Sequence, residues 1–210
     1  MFGTMEEPYL FLFMPFVEIE IRLGTILSNK RFDSNVDKKY FDKILSHLES
    51  YQNWKEVIVI NTSEYINNNT KYIKEDSGHG TIMVVQKDNI FKKDISDVHS
   101  PFDIRISINQ EFNLKSQVDV LKNNISGSDM RIKSRKSFIT DNFKYDLTVV
   151  TEIVNNIKKE KYEIEIEMII NKYTLTFNKQ YLNDFLECKI YDLIHIVEPI
   201  ERDKIKLELF

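Results

Sequence analysis

The sequence predicts a mainly β protein of the α+β type, an antiparallel β-barrel with a few flanking helices. The first observation is period-two alternation of apolar and polar residues, which is typical of strands and recurs along the chain. In 103–111, for example, isoleucines alternate with Arg, Ser and Asn. The second observation is that helical spacing of apolar residues is found mainly in 37–49 and 178–187. Many strands with few helices favour a barrel.

The individual strands are predicted from this alternation, and the loops from clusters of Asn, Asp and Ser. Predicted strands cover 16–23, 56–60, 80–87, 103–111, 131–139, 143–152, 161–170, 173–177, 188–197 and 205–209. Residues 116–123 form a third, shorter helix candidate, and the predicted loops are 28–36, 61–70, 88–101 and 124–129. Because no linker or internal repeat divides the chain, residues 1–210 are expected to form a single domain.

The composition excludes several functional classes. The net charge of −4 by itself argues against a polyanion partner. Cys188 is the only cysteine, so neither an internal disulfide nor a multi-cysteine zinc site can form. The sequence contains no glycine-rich phosphate loop, so a phosphate would have to be bound by side chains. The apolar run at 9–14 is too short to span a bilayer and is expected to pack in the core, so no membrane association is predicted.

Rows of glutamates on two predicted strands suggest a metal site. Residues i, i+2 and i+4 of a strand share a face, so Glu18 and Glu20 lie together. Glu163, Glu165 and Glu167 form a similar row on another strand. Two carboxylates ~7 Å apart repel by about 2 kcal/mol at an effective dielectric of ~20. The rows therefore favour a hard divalent cation, Mg²⁺ or Mn²⁺, although a plain solvated sheet face is the alternative.

A row of cations lies between the glutamate rows in the sequence. Arg131, Lys133 and Arg135 share one face of a predicted strand, and Asp146 and Thr148 share a face of the next. Such charges could not form a plain core, because burying them without partners is too costly. A closed barrel with these faces turned inward would instead be a wet tunnel that binds a metal and a polyphosphate.

Together these strands resemble the triphosphate tunnel metalloenzymes, in particular the fungal, protozoal and DNA-virus type of mRNA-capping RNA 5′-triphosphatase. The motifs that carry the resemblance, in the family's order, are 17–24, 131–138, 143–148 and 162–167. The resemblance implies an eight-stranded antiparallel tunnel. It also implies a hydrolase that removes the γ-phosphate from the 5′ end of nascent mRNA, the first step of cap formation, with Mg²⁺ or Mn²⁺ as cofactor and with a side activity on nucleoside triphosphates.

The resemblance also implies roles for individual residues. Glu18, Glu20 and Glu167 are expected to bind the metal directly. Glu165 is then expected to hold and deprotonate the attacking water, as a general base.

Cationic side chains are expected to grip the phosphate oxygens. The residues with this expected role are Arg105, Lys133 and Arg135.

Five further residues belong to the expected site. Arg131 and Glu163 are expected to brace the tunnel by pairing across strands. Asp146 is expected to hold a metal-bound water. Lys144 and Lys74 are weaker candidates, for which solvation at the surface is an equal explanation.

Other functions of the same fold remain open from the sequence. Arg22 stands where thiamine triphosphatases and class IV adenylate cyclases have lysine, which favours the capping branch. The alternatives are a thiamine or inorganic triphosphatase, and a non-catalytic β-domain of a capping complex. The expected partners are triphosphate-ended RNA, nucleoside triphosphates and a guanylyltransferase on another chain or domain, in a monomer or homodimer. The expected location is intracellular, in nucleus or cytoplasm, or in a viral factory or virion, because the Asn-, Ile- and Lys-rich composition fits a giant DNA virus or a protozoan.

Overall fold

Strands dominate the structure, a computed structural model that describes residues 15–67, 70–76, 82–96, 100–115, 129–154, 157–171, 174 and 178–199. The strands are β1 (Val17–Ile26), β2 (Phe32–Asp33), β3 (Glu56–Asn67), β4 (Thr70–Glu75), β5 (Ile82–Ile95), β6 (Asp103–Lys115), β7 (Asp129–Ile139), β8 (Phe143–Val154) and β9 (Ile157–Met168). The helices in these residues are α1 (Lys38–Ser50) and α2 (Lys179–Val197).

Eight of the strands close into an antiparallel barrel. Its order is β1-β6-β5-β4-β3-β7-β8-β9, and β9 pairs back onto β1, with Ile19 opposite Met168 and Leu23 opposite Ile164. The short β2 pairs only with the end of β1, at Thr25 and Ile26. The predicted fold, an eight-stranded antiparallel tunnel with a few helices, is therefore confirmed.

The barrel is built inside out relative to most small barrels, because its apolar core lies outside the strands. Ile21 of β1 and Ile166 of β9 are 1% exposed and belong to one cluster with Ile44 of α1 and Ile190 of α2. Each strand alternates, so turning these residues toward the helices turns the charged residues toward the barrel axis.

The two helices cover this apolar outer face. The Asp37 side chain caps α1 by accepting from the Lys39 backbone N–H at 2.9 Å, and the Asn178 side chain caps α2 by accepting from the Tyr181 N–H at 2.8 Å. Lys43 of α1 also donates to the carbonyl of Val197 at 3.0 Å, which ties the two helices together. Neither of the described helices is long and apolar enough to cross a membrane.

The predicted strand at 188–197 is wrong, because these residues continue α2. The residues of α2 that are buried recur every three or four positions, which is the period of a helix. They are Leu182, Leu186, Ile190, Leu193, Ile194 and Val197. Taken alone, 188–197 is a short apolar run, and periodicity does not separate a strand from a buried helix in such a run.

Two predicted loops are wrong for a different reason. Residues 61–67 continue β3, β4 begins at Thr70, and 88–95 continue β5. Their Asn, Asp and Ser content is typical of loops, yet a barrel with a wet interior accepts polar residues on its inner face. The predicted loop at 28–36 contains the short β2.

Several predictions lie outside the described residues. These are the helix at 116–123, the strand at 205–209, the apolar run at 9–14, all of the loop at 124–129 but its last residue, and all of 173–177 except Thr174.

Candidate active site

A charged cavity of about 730 Å³ occupies the inside of the barrel. All eight barrel strands contribute to its wall, and most of the lining side chains are charged. Acidic and basic side chains alternate around the wall, so they form ion pairs across strands. The cavity is the place where the sequence predicts a metal and a polyphosphate to bind.

The three predicted metal ligands meet at one part of this wall. Glu20 of β1 lies directly opposite Glu167 of β9, because the pairing of these two strands closes the barrel. Glu18 is on the same face of β1, and all three carboxylates line the cavity. Strand closure thus brings together residues that are about 150 positions apart in the sequence.

Two lysines lie among these carboxylates. Nζ of Lys87, on β5, is 2.5 Å from Oε2 of Glu18 and 3.1 Å from Oε2 of Glu20. Lys144, on β8, forms an ion pair with Glu167, and its Nζ is 3.4 Å from Oδ2 of Asp146. Within the described residues, no three His, Cys, Asp or Glu side chains are arranged so that they could hold a metal ion.

The chemistry of the donor set still fits a hard divalent cation. Carboxylate oxygens are the ligands that Mg²⁺ and Mn²⁺ prefer. Oε2 of Glu18 is buried, and the Lys87 ammonium is close to it. The buried oxygen already has a cation as its neighbour, so its position suits a positively charged partner.

The pKa values show that the carboxylates crowd one another. Burial raises the pKa of Glu20, and the nearby Glu165 raises it further. Burial also raises the pKa of Glu167 to about 7, with Glu18 and Asp146 adding to the shift against the opposing effect of Lys144. This cluster therefore has less positive charge around it than it needs to stay fully ionised at neutral pH.

The pKa of Glu165 is shifted in the opposite direction, downward. Burial by itself would raise its pKa, but the guanidinium groups of Arg22 and Arg135 outweigh burial and hold the pKa well below its ordinary value. Nε of Arg22 donates to its Oε1 at 2.8 Å, and Nη2 of Arg135 is 3.5 Å from its Oε2. Glu165 is therefore an ionised carboxylate at every pH at which the protein would work.

The predicted phosphate-binding row lies across the cavity from β1. Lys133 and Arg135 line the wall from β7. Nη1 of Arg135 is 3.0 Å from Oδ2 of Asp146, whose other oxygen accepts from the Ser137 hydroxyl at 2.6 Å. Nζ of Lys133 is 3.1 Å from Oε2 of Glu64. Each cation is held by an acidic neighbour, which fixes its direction toward the cavity.

The predicted bracing pair is present in the structure. Nη2 of Arg131 donates to Oε1 of Glu163 at 2.9 Å, and the Ser34 hydroxyl donates to the same oxygen at 3.0 Å. Nε of Arg131 is also 3.3 Å from Oε1 of Glu152. These contacts link β7, β8, β9 and the segment after β2.

Arg105 and Lys74 lie away from the cavity wall. The guanidinium of Arg105 donates to both carboxylate oxygens of Asp94, at 2.7 and 2.8 Å, and lies over the Phe32 ring, 4.6 Å from its centroid. Lys74 is exposed. Of the predicted phosphate-binding cations, the structure brings Lys133 and Arg135 together but leaves Arg105 bound to Asp94.

Comparison with known proteins identifies the family. The family model described as the beta chain of the mRNA capping enzyme matches residues 13–188, most of the chain. The chain belongs to this family. None of the curated protein sequences compared with it matches.

Solved structures share the fold of this capping-enzyme family member. The S. pombe Pct1 RNA triphosphatase is 18% identical, with a TM-score of 0.70, over 89% of this chain and 88% of that one. The Mimivirus capping enzyme triphosphatase is 20% identical, with a TM-score of 0.58, over 90% and 92%. Another S. pombe Pct1 structure, in complex with the Spt5 CTD, has a TM-score of 0.68 at 18% identity, over 89% and 90%.

Three cations that line the cavity of this capping-enzyme family member had no role assigned from the sequence: Arg22, Lys71 and Lys87. Arg22 donates to Glu20 at 2.6 Å as well as to Glu165, so it links the two glutamate rows. Lys71 lies in β4, for which the sequence predicts no strand. Lys87 lies in β5, which is longer than the strand predicted there, 80–87. Lys71 forms no ion pair with the described residues, and burial lowers its pKa, with Lys133 lowering it further. Alternation in 70–75 could have indicated Lys71.

The raised pKa of Glu167 predicts how stability changes with pH. For a carboxyl group, a folded-state pKa of about 7 against an ordinary 4.5 favours the neutral form in the fold. Its stabilising contribution is complete below pH 4.5 and is lost as the pH rises through 7. Thermal unfolding of metal-free protein should therefore show wild type and Glu167→Gln close together at pH 5, with the variant more stable by a few degrees at pH 8. A difference between the two proteins that stays constant with pH would contradict this.

Proposed function

We propose that this chain is a metal-dependent polynucleotide 5′-triphosphatase that removes the γ-phosphate from the 5′-triphosphate end of nascent mRNA. The observation that carries the proposal is the closed tunnel, in which Glu20 and Glu167 face a cavity shared with Lys133 and Arg135. Membership of the capping-enzyme beta chain family supports it. Two structures of the same fold are named as an RNA triphosphatase and a capping enzyme triphosphatase.

Glu18, Glu20 and Glu167 would hold the metal, Mg²⁺ or Mn²⁺. When bound, such an ion withdraws charge from the γ-phosphate. The oxygens of these three carboxylates face one part of the cavity, so a triphosphate bound to the basic row would have its terminal phosphate within reach of them. Arg22 keeps Glu20 oriented through its 2.6 Å hydrogen bond.

Glu165 would orient the attacking water. Its low pKa makes it a weak base, because Arg22 and Arg135 stabilise its charge, so it is better suited to accept a hydrogen bond from water than to remove a proton early. Phosphoryl transfer through a loose transition state makes little demand on a strong base. The water oxygen forms a bond to the γ-phosphorus while the bond from that phosphorus to the β-phosphate oxygen breaks, and the bonding electrons stay on the diphosphate end. The proton that the water loses late in the step passes to Glu165.

The cations of the wall would grip the phosphate oxygens. Arg135 presents a planar fork and Lys133 a point charge, and both are fixed by acidic neighbours before substrate arrives. Lys71, which lacks an ion-pair partner among the described residues, is free to take a phosphate oxygen as its partner. Such preorganised charges stabilise the developing negative charge in the transition state. Arg105 is left out of this set because both carboxylate oxygens of Asp94 accept hydrogen bonds from its guanidinium.

The proposal also covers a side activity, a location and partners of the chain. The chain would also hydrolyse free nucleoside triphosphates and would act inside the cell, in nucleus or cytoplasm or in a viral factory. A guanylyltransferase on another chain or domain would cap the diphosphate end that the reaction leaves, because the product still needs a nucleotidyl group. Binding to the Spt5 CTD is a property of S. pombe Pct1, and whether this chain shares a partner of that kind is a question for the same proposal.

The test compares substrates for one purified protein. Release of γ-phosphate is measured from triphosphate-ended RNA, ATP, tripolyphosphate and thiamine triphosphate, with Mg²⁺, with Mn²⁺ and with EDTA. We expect RNA to be the best substrate, a diphosphate end to remain, and EDTA to stop the reaction. Glu20→Gln protein purified in parallel controls for contaminating phosphatases. Faster turnover of thiamine triphosphate or tripolyphosphate would instead support the other triphosphatases, and no turnover of any substrate would support a non-catalytic β-domain.

A further inference from the structure

Lys87 reaches the glutamate pair of β1 from a strand that is not its neighbour. β6 lies between β5 and β1 in the barrel, so the lysine side chain spans the inner wall across β6. At the crossing, the inner-face residues of β6 that lie opposite Glu20 and Glu18 are Ser107 and Asn109, which are small or neutral. These two residues leave room for the lysine side chain. β6 also places Glu111 opposite Lys87, and both line the cavity, but the ammonium group forms its ion pairs with the glutamates of β1 instead.

The ammonium group of Lys87 lies between the two carboxylates. Its Nζ is 2.5 Å from Glu18 and 3.1 Å from Glu20. Glu20 is 3% exposed, so its charge cannot be screened by water alone. Oε2 of Glu18 is buried, and the Lys87 ammonium is its ion-pair partner. Lys87 also donates a hydrogen bond to Oε2 of Glu20, so one ammonium group neutralises part of the charge of both carboxylates.

The other cations near Glu18 and Glu20 do not take the place of Lys87. Arg22 donates to Glu20, but it shares its guanidinium with Glu165. Lys144 is engaged by Glu167 and Asp146. Lys87 is accordingly the cation of the described residues that contacts both Glu18 and Glu20. Without it, two neighbouring carboxylates on one strand face would repel each other.

We propose that Lys87 is a built-in counter-cation, which occupies the Glu18–Glu20 pair in the metal-free protein and is displaced when a divalent ion binds there. The inference rests on the proposed function only in taking Glu18 and Glu20 as metal ligands. Because a tethered ammonium and a metal ion compete for the same oxygens, Lys87 weakens metal binding and stabilises the metal-free fold. The displaced ammonium stays in the cavity, where it adds one positive charge for an incoming phosphate.

The proposal is tested by Mn²⁺ titration calorimetry without substrate. We expect Lys87→Met to bind Mn²⁺ roughly tenfold more tightly than wild type, since one charge is removed from beside the ion. Lys87→Arg keeps the charge and should bind Mn²⁺ no more tightly than wild type. The matched control is Lys136→Met, which removes a lysine–glutamate pair with Glu49 on the outside of the barrel and should leave Mn²⁺ affinity unchanged.

Thermal unfolding of the same proteins gives a second readout. In EDTA, Lys87→Met should unfold at a lower temperature than wild type, and saturating Mn²⁺ should raise its unfolding temperature by more than it raises that of wild type. If Lys87→Met does not fold in EDTA, Lys87→Gln purified with Mn²⁺ allows the same affinity comparison. A Mn²⁺ affinity in the methionine or glutamine variant that is equal to or weaker than that of wild type would overturn the proposal.

These readouts separate the inference from the proposed function. Wild type that binds Mn²⁺ but releases no phosphate from any triphosphate contradicts the triphosphatase activity and leaves the competition measurable. Binding of Mn²⁺ by Lys87→Met but not by wild type supports the competition in its strongest form. Failure of both proteins to bind Mn²⁺ overturns the inference.

Discussion

Replacing Glu20 with glutamine is expected to lower metal-dependent phosphate release by about a thousandfold or more, since a metal ion contributes several kcal/mol to transition-state stabilisation. Glutamine keeps the size of the side chain, and its carbonyl oxygen can still accept the 2.6 Å hydrogen bond from Arg22. What the substitution removes is the charge that binds the ion. The fold should therefore survive while activity is lost.

The same loss is expected for Glu18→Gln and Glu167→Gln, because all three carboxylates face one part of the cavity. Glu49→Gln is the matched control, since Glu49 pairs with Lys136 on the outside of the barrel. Phosphate release at saturating Mn²⁺ and circular dichroism would be measured on each protein. Normal turnover by a folded Glu20→Gln protein would remove the two glutamate rows from the mechanism.

The second large effect is expected at Arg135, where substitution by lysine should reduce kcat/KM by roughly a hundredfold, the cost of losing one preorganised donor. The Arg135 guanidinium contacts Asp146 at 3.0 Å, Glu165 at 3.5 Å and the Thr148 hydroxyl at 3.3 Å. An ammonium group cannot reproduce these directions together with a forked grip on phosphate. The substitution would therefore weaken both the orientation of Glu165 and the binding of phosphate by residue 135.

Arg105→Lys is the sharpest comparison for Arg135→Lys, because it makes the same change on β6, on the opposite side of the barrel from β7. The resemblance to tunnel enzymes implies a phosphate contact for Arg105, whereas the structure holds its guanidinium on Asp94 and Phe32. We expect Arg105→Lys to lower activity far less than Arg135→Lys. Equal losses in both, with both proteins folded, would mean that Arg105 reaches the substrate.

The rows of charge were predictable because a strand has a period of two. This local rule placed Glu165 and Glu167 on one face without any knowledge of the neighbouring strands. The same reasoning failed for 61–67 and 88–95, whose polar composition is typical of loops although they continue β3 and β5. It also failed for the second half of α2, which is too short an apolar run to classify by itself. In these places the environment decided the structure: a polar cavity for the two strands and an apolar barrel face for α2.

The net charge of −4 was a poor guide to the ligand, since it averages over opposed faces. Positive and negative charges cancel in the net charge, but both line one cavity, where Lys133 and Arg135 face the same space as Glu20. The position of each charge is therefore more informative than the total.

The sequence by itself determined which residues share a strand face, because alternation is a property of neighbouring residues. It also determined the family, whose motifs lie along 17–167 in order. Only the tertiary structure decided which faces turn inward and which charges meet. Closure of β9 on β1 sets Glu20 against Glu167, Lys87 crosses β6 to reach Glu18 and Glu20, and Arg105 is retained by Asp94. These contacts join strands that are far apart in the chain, and they are set by the order and register of pairing around the barrel, which no local pattern encodes.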